Sequence, residues 1–342
     1  MDGSAATTNP KNYYEGQQGH TTEQRKQSVL GPLRGFNNAI KSSLIKKYCF
    51  RKKGLCVLDA CCGKGGDLFK WRPHVDYYVG FDISKDSIDE AHKRSADCRF
   101  GATFVVCDAT AASQDYNQLL PASLKFHVVS CQMSFHYLCG SEESLRNFFS
   151  KMSQRLVPGG LFIGSCPNSN ILVQRMRKAH RETGETTFGN SVYSVNFPSH
   201  ELSDEKQFGH IYNFFLDDDC VGSREVVVGD DGKPKTVIHY VPEYLVYFPA
   251  IEKLAAEYGF RRIFKKNFHD FYDELRHDPK QAEYFAKKMF DEFGVSEFPQ
   301  DQWEITHLYQ AFAFQKQGTF QEPRQGEVSY DTEKRIHNLM DQ

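Results

Sequence analysis

The 342-residue chain lacks any apolar window approaching the roughly 18 residues that a membrane span needs, and its beginning lacks an apolar stretch of signal-peptide length. A soluble protein that is not embedded in a membrane is expected. Net charge is also scarce, formally -2. That excludes a strongly basic, chain-wide nucleic-acid binder, so contact with a polyanion must be local, at basic stretches such as Lys46–Lys53 or Arg261–Lys266. The ten cysteines form no Cys-x-x-Cys pair set at zinc-like spacing against histidines. No metal is expected, and a reduced, intracellular compartment suits this cysteine usage. Internal repeats are missing. Aliphatic side chains almost vanish from residues 1–27, which cannot bury enough surface to offset ordering entropy and are expected to form a flexible arm. The polar stretch 317–342 is expected to be ordered only in part.

What lies between those ends is rhythmic. Short apolar runs at Cys56–Ala60, Tyr77–Asp82, Thr103–Asp108, Phe126–Cys131 and Gly160–Ser165 alternate with amphipathic stretches such as Asp86–Ala96 and Glu142–Leu156. Runs apolar throughout suit strands covered on both faces, so the β-α-β-α order predicts an α/β, doubly wound, mostly parallel sheet. After Cys166 longer aromatic-rich segments broken by turn signals predict an antiparallel insertion at about 168–245 within one domain of about 28–316. A helix at Ile251–Tyr258, a strand at Arg261–Phe268 and a last strand near Ala311–Phe314 follow.

In open α/β sheets ligands bind at the carboxyl ends of the strands. The first run enters Asp59-Ala60-Cys61-Cys62-Gly63-Lys64-Gly65-Gly66-Asp67, a small-residue turn where backbone can approach a ligand closely. The second run ends in Asp82, placed to accept from ribose hydroxyls, and the third in Asp108, placed for an adenine amino group. Asp82 could instead cap a helix, with Ser84 and Asp86 as competitors, and Asp108 could be a simple turn residue. The turn does not read Gly-x-Gly-x-x-Gly, so S-adenosylmethionine is preferred over a dinucleotide.

Four stretches carry a more specific likeness: Asn37-Asn38-Ala39-Ile40-Lys41-Ser42, Gly63 to Trp71, Gln132-Met133-Ser134-Phe135-His136-Tyr137, and Pro242 to Pro249. Together they resemble the cellular messenger-RNA cap guanine-N7 methyltransferases, over about Asn37 to Lys316, with Phe188-Gly189-Asn190 and Phe312-Ala313-Phe314 as further agreements. The resemblance implies a Rossmann-like methyltransferase sheet and transfer of methyl from S-adenosylmethionine to N7 of the terminal guanosine of 5'-capped RNA. It implies that Lys41, Cys61, Gly63, Asp82, Asp108, Gln132 and Tyr137 hold the methyl donor. Lys64, Lys70 and Arg94 would hold the cap phosphates, with Asn37 and Asn38 in the same substrate group. His136, Glu243 and Tyr309 would orient the guanine. Family members commonly carry glycine where this chain has Cys61, whose side chain would crowd the methionine unless the thiol points away.

Guanine N7 has a lone pair and no proton to lose, so no general base or nucleophile is expected; positioning and electrostatics would suffice. The resemblance further implies residence in the nucleus, an activating subunit, and partners in the capping apparatus or among proteins associated with RNA polymerase II. Two other functions fit the glycine turn and Asp82: a small-molecule methyltransferase of the same fold, and an inactive cap-binding scaffold.

Overall fold

The computed structural model describes residues 13, 15, 28–49, 52–203, 206–218, 220–228, 233–320, 323 and 333–340. Apart from Tyr13 and Glu15, the expected N-terminal arm 1–27 lies outside the described residues, as do the turn signal at Asp230–Gly232 and much of 317–342.

Helix α1 (Gly31–Cys49) leads into strand β1 (Leu55–Ala60), every residue of which is buried. Along β1, Leu55 and Val57 join the apolar cluster on one face while Cys56, Leu58 and Ala60 join that on the other. This is why the run is apolar without alternation. The short helix α2 (Leu68–Trp71), β2 (Val75–Asp82), α3 (Lys85–Ser95) and β3 (Gly101–Val106) complete the first half. Strand β4 (Phe126–Gln132), α4 (Glu142–Arg155) and β5 (Leu156–Pro167) follow. Helix starts are specified locally: Ser84 and Ser141 accept from the backbone N–H groups of Ser87 and Ser144.

Beyond β5, helix α5 (Ser169–Thr183) ends on Gly184 in the left-handed region and opens the insertion. Strands β6 (Thr187–Gly189), β7 (Tyr193–Asn196), β8 (Ile211–Leu216) and β11 (Val241–Tyr244) form an antiparallel sheet of order β11-β8-β7-β6, and β9 (Ser223–Val228) with β10 (Pro234–His239) forms a separate hairpin. Helix α6 (Phe248–Glu257), β12 (Phe260–Asn267), helices α7 (Phe268–Leu275), α8 (Pro279–Met289) and α9 (Gln300–Thr306), then β13 (Tyr309–Lys316), return to the main sheet.

The main sheet runs β12-β13-β5-β4-β1-β2-β3-β14, where β14 is Lys334–Asn338. Strands β1 to β5 are parallel, β13 is antiparallel to β5 and to β12, and β14 is parallel to β3. The order reverses between β1 and β4, which places the ligand crevice above their carboxyl ends. No helix among the described residues is long and apolar enough to cross a membrane.

The doubly wound sheet and antiparallel insertion are as the sequence predicts. Three details differ. Gln132 closes β4 instead of following it. The strand near Ala311–Phe314 is not the last, because the polar run Lys334–Asn338 adds an edge strand. Three helices, α7 to α9, lie within 268–306, and Phe268 opens α7 instead of ending a strand. There Phe36 of α1 packs among Phe268, Tyr272, Phe285, Phe298 and Trp303, ring centroids 5.4–6.3 Å away.

Candidate active site

The glycine turn after β1 is held from both sides. Cys62 donates its N–H to Phe81 O at 2.9 Å, and Gly63 donates to Asp82 Oδ2 at 2.8 Å. Asp82 Oδ1 accepts from Ser84 N at 3.0 Å. The helix cap is therefore Ser84, and Asp82 ties the glycine turn to the end of β2. An ideal Cβ on Gly63 (φ +51°) would meet nothing within 4 Å, so the backbone here faces open space of the kind a ligand fills. Cys61 sits in the left-handed region at φ +53°, which explains a preference for glycine at this position. Its thiol lies within hydrogen-bonding reach of Cys131 in β4 and packs into the sheet.

At the end of β3, Asp108 N donates to Gln114 Oε1 at 2.7 Å, and Asp108 Oδ1 accepts from the N–H and hydroxyl of Thr110 at 2.8 and 2.6 Å. Gln132 is fixed by serines: Ser165 Oγ donates to its Oε1 at 2.9 Å, and its Nε2 donates to Ser130 Oγ at 3.3 Å. The next residue, Met133, is also left-handed at φ +61° and donates its N–H to Ser165 O. Successive strand ends thus present a glycine turn, two carboxylates and an amide around one crevice.

Beneath that crevice lies a charge network whose acids the sequence motifs left unassigned. Lys41 Nζ on α1 reaches Asp67 at 2.8 and 3.0 Å, and Lys70 Nζ reaches the same carboxylate at 2.7 Å. Lys70 also donates to Asn38 Oδ1 at 3.0 Å and Gly66 O at 3.3 Å, so its three N–H groups all have acceptors. Burial pushes the Asp67 carboxyl up, but the two ammoniums outweigh it and hold it well below the usual carboxylate range. Asp59, buried at the end of β1, accepts from Tyr78 OH at 2.7 Å and is pushed up to about 7 by burial and by the Asp67 charge. In the folded chain Asp59 therefore keeps its proton above the ordinary unfolded value of about 4, and stability falls as pH rises from about 4 through 7. Asp59→Asn should flatten that slope in denaturant titrations. An unchanged slope would show that Asp59 does not titrate there.

A second cluster of buried polar side chains follows β4 at the short 3-10 segment Phe135–Gly140. Register places Glu243 of β11 opposite Tyr212 of β8, and Tyr212 OH donates to Glu243 Oε2 at 2.5 Å. Tyr137 OH donates to Glu243 Oε1 at 3.2 Å. His136 Nε2 lies 3.3 Å from Oε1, but off line, so neither imidazole nitrogen has a hydrogen-bond partner although His136 is only 3% exposed. Tyr309, at the start of β13, packs on Phe268 with centroids 5.8 Å apart and lies near enough to Tyr212 to act on its ionisation. His136 and Tyr137 thus meet Glu243 from more than a hundred residues away, with Tyr309 on the Tyr212 side of the cluster.

The remaining expected substrate residues are more scattered. Lys64 is half-buried on the glycine turn. The buried Oδ1 of Asn37 has no hydrogen-bond partner. Arg94 pairs with Glu90 at 3.0 Å on α3, one helical turn from Ala91, which packs against Gly65. The described contacts do not bring Arg94 to Lys64 or Lys70.

A reversed-order parallel sheet with an antiparallel strand β13, a glycine turn and acids after β2 and β3 defines an S-adenosylmethionine-dependent methyltransferase. Within that class the chain belongs to the family described as the mRNA (guanine-N(7))-methyltransferase domain, which it matches over residues 3–230 and 233–317. It is 34% identical over 326 residues to mRNA cap guanine-N(7) methyltransferase 1 of Oryza sativa subsp. japonica, covering 90% of this chain and 80% of that protein. The mRNA cap guanine-N(7) methyltransferase of Schizosaccharomyces pombe is 34% identical over 304 residues, covering 86% of this chain and 78% of the relative. For the Cryptococcus neoformans relative the figures are 34% over 301 residues, with 86% of this chain but only 45% of the longer protein covered.

Proposed function

We propose that the chain transfers a methyl group from S-adenosylmethionine to N7 of the terminal guanosine of 5'-capped RNA, with the guanine held in the pocket of His136, Tyr137, Tyr212, Glu243 and Tyr309. One observation carries the substrate assignment: a buried imidazole with no hydrogen-bond partner beside a buried carboxylate whose known partners are tyrosine hydroxyls. An unsatisfied buried polar group costs about 1–3 kcal/mol, which a ligand carrying both a carbonyl and N–H groups would recover. Guanine presents those along one edge: O6 would accept from His136, and N1–H and N2–H would donate to Glu243.

S-adenosylmethionine supplies an electrophilic methyl group. Lys41 would pair with its carboxylate, Asp82 with the ribose hydroxyls and Asp108 with the adenine amino group. Gln132 and Tyr137 would bound the reacting centre, and Lys64, Lys70 and Arg94 would receive the cap phosphates. Because Lys70 already bonds Asp67, Asn38 and Gly66, a phosphate would have to displace one of these. No group here need take a proton. Glu243 stabilises the positive charge that develops on the purine, and the pocket walls fix the line of approach, an effect worth up to about 7–11 kcal/mol. RNA binding beyond the cap, nuclear residence and association with the capping apparatus, RNA polymerase II-associated proteins or an activating subunit belong to the same proposal.

The test is incubation of the purified chain with labelled S-adenosylmethionine and RNA ending in an unmethylated guanosine cap, followed by digestion to nucleosides. Label in 7-methylguanosine is expected. Cofactor binding without such transfer would mean a missing activating subunit or a different acceptor.

A further inference from the structure

The family match ends at residue 317, yet the chain after it is built into the sheet. Its described residues touch the lower ends of the parallel strands in turn. The backbone of Thr319 and Phe320 lies so close to Gly159, at the start of β5, that no Cβ fits there. The Phe320 ring meets His127 of β4 edge-on at 6.1 Å and carries Lys52 Nζ over its face at 3.9 Å. Pro323 packs by Gly54, just before β1. Glu333 O then accepts from Ala102 N at 3.0 Å, and β14 rises parallel to β3 in the register Lys334↔Ala102 through Asn338↔Val106. Being parallel, β14 ends where β3 ends. Leu339 N donates to Val106 O at 2.9 Å, two residues before Asp108, and its side chain packs on the cluster that holds Val105, Cys107 and Ala109.

Without β14, the apolar strand β3 would be an open sheet edge. We propose that β14 and Leu339 form a positioning element for the adenine end of the cofactor site: by fixing the carbonyl of Val106 they hold the 107–114 loop in the geometry that presents Asp108. This rests on the assignment of that loop to S-adenosylmethionine. The contacts described for the element lie along β3 and its end, so its effect is expected on cofactor affinity. The body of the loop is held from α4, where Lys151 Nζ donates to the carbonyls of Ala109, Ala111 and Gln114 and Asn147 Nδ2 donates to Thr110 O, so β14 governs the loop's start, where Cys107 N donates to Asp82 O on one side and Leu339 N to Val106 O on the other.

The experiment compares the full chain with its Leu339→Pro variant, which removes the N–H to Val106, and with Leu339→Ala and Leu339→Met. Calorimetry reads the dissociation constants of S-adenosylmethionine and of a guanosine cap dinucleotide, and turnover is measured at saturating cofactor. Expected is an affinity for S-adenosylmethionine lowered about tenfold in Leu339→Pro and by less in Leu339→Ala, the worth of one buried hydrogen bond and a half-buried leucine. Leu339→Met restores it, with cap affinity and turnover held. Unchanged cofactor affinity overturns the proposal, as does a parallel loss of cap binding, turnover and thermal stability, which marks a merely structural strand. Failure of the unaltered chain to bind S-adenosylmethionine would instead overturn the cofactor assignment.

Discussion

Glu243→Ala should cut kcat/KM for capped RNA about 100- to 1,000-fold while leaving the affinity for S-adenosylmethionine within about twofold, since removing one preorganised electrostatic group from an active site costs that much. The carboxylate is 3% exposed and lies among Tyr137, Tyr212 and His136. Truncation would delete both the acceptors for the guanine N–H groups and the negative charge facing the developing cation. Much of the effect should fall on kcat, because the charge on the purine appears only as the methyl bond forms. Glu243→Gln separates the two contributions: it keeps one acceptor, so it should retain ground-state binding of a cap dinucleotide better than Ala does while losing a comparable share of turnover. Tyr137 donates to Glu243 and is also proposed to bound the methyl donor, which makes calorimetry with S-adenosylmethionine the necessary control. Full activity in Glu243→Ala would mean that the guanine sits elsewhere.

The sheet was legible because burial on both faces leaves continuous apolar runs, as in Gly101–Val106, and because caps such as Ser84 and Ser141 lie next to the helices they start. The crevice was legible for the same reason: glycine turn, Asp82 and Asp108 all sit at strand ends. The Glu243 pocket was not legible from spacing, since β11, β8, β13 and the segment after β4 meet only through the register of the insertion. His136, Tyr137, Glu243 and Tyr309 came from resemblance alone, and Tyr212, which donates to Glu243, was missed. Strand β14 left no periodic signal, because an edge strand with one open side tolerates Lys334, Arg335 and His337. Asp59 and Asp67 were overlooked although they bracket the glycine turn. The signal available was an acid at the end of a wholly apolar run, a position too buried to be left without a partner. The partner of Asp67 that fixes its role, Lys41, is 26 residues away on another helix.

Asp67→Ala should be the most destabilising single substitution at the site, lowering the unfolding free energy by about 3–5 kcal/mol, the usual cost of removing one partner from a buried ion pair. The side chains of Lys41, Asp67 and Lys70 are only 15%, 10% and 14% exposed, so the variant would leave two ammoniums facing each other in a poorly hydrated space. Three consequences separate this from a simple packing loss. Asp59 would lose the negative neighbour that helps push it up to about 7, and with two uncompensated lysines nearby its carboxyl should titrate lower, shifting the pH slope of stability downward. Asn38 and Gly66 would become the remaining acceptors described for Lys70, freeing it to swing toward a phosphate. Multivalent anions should stabilise the variant more than the unaltered chain, by supplying the missing charge between the lysines. Asp67→Asn, which keeps the shape but not the charge, should fall close to Ala if electrostatics dominate and close to the unaltered chain if hydrogen bonding does. Thermal and denaturant unfolding of both variants, with and without inorganic phosphate, decides between them. A loss below about 1 kcal/mol in both, as for exposed pairs, would mean that water already screens the two lysines.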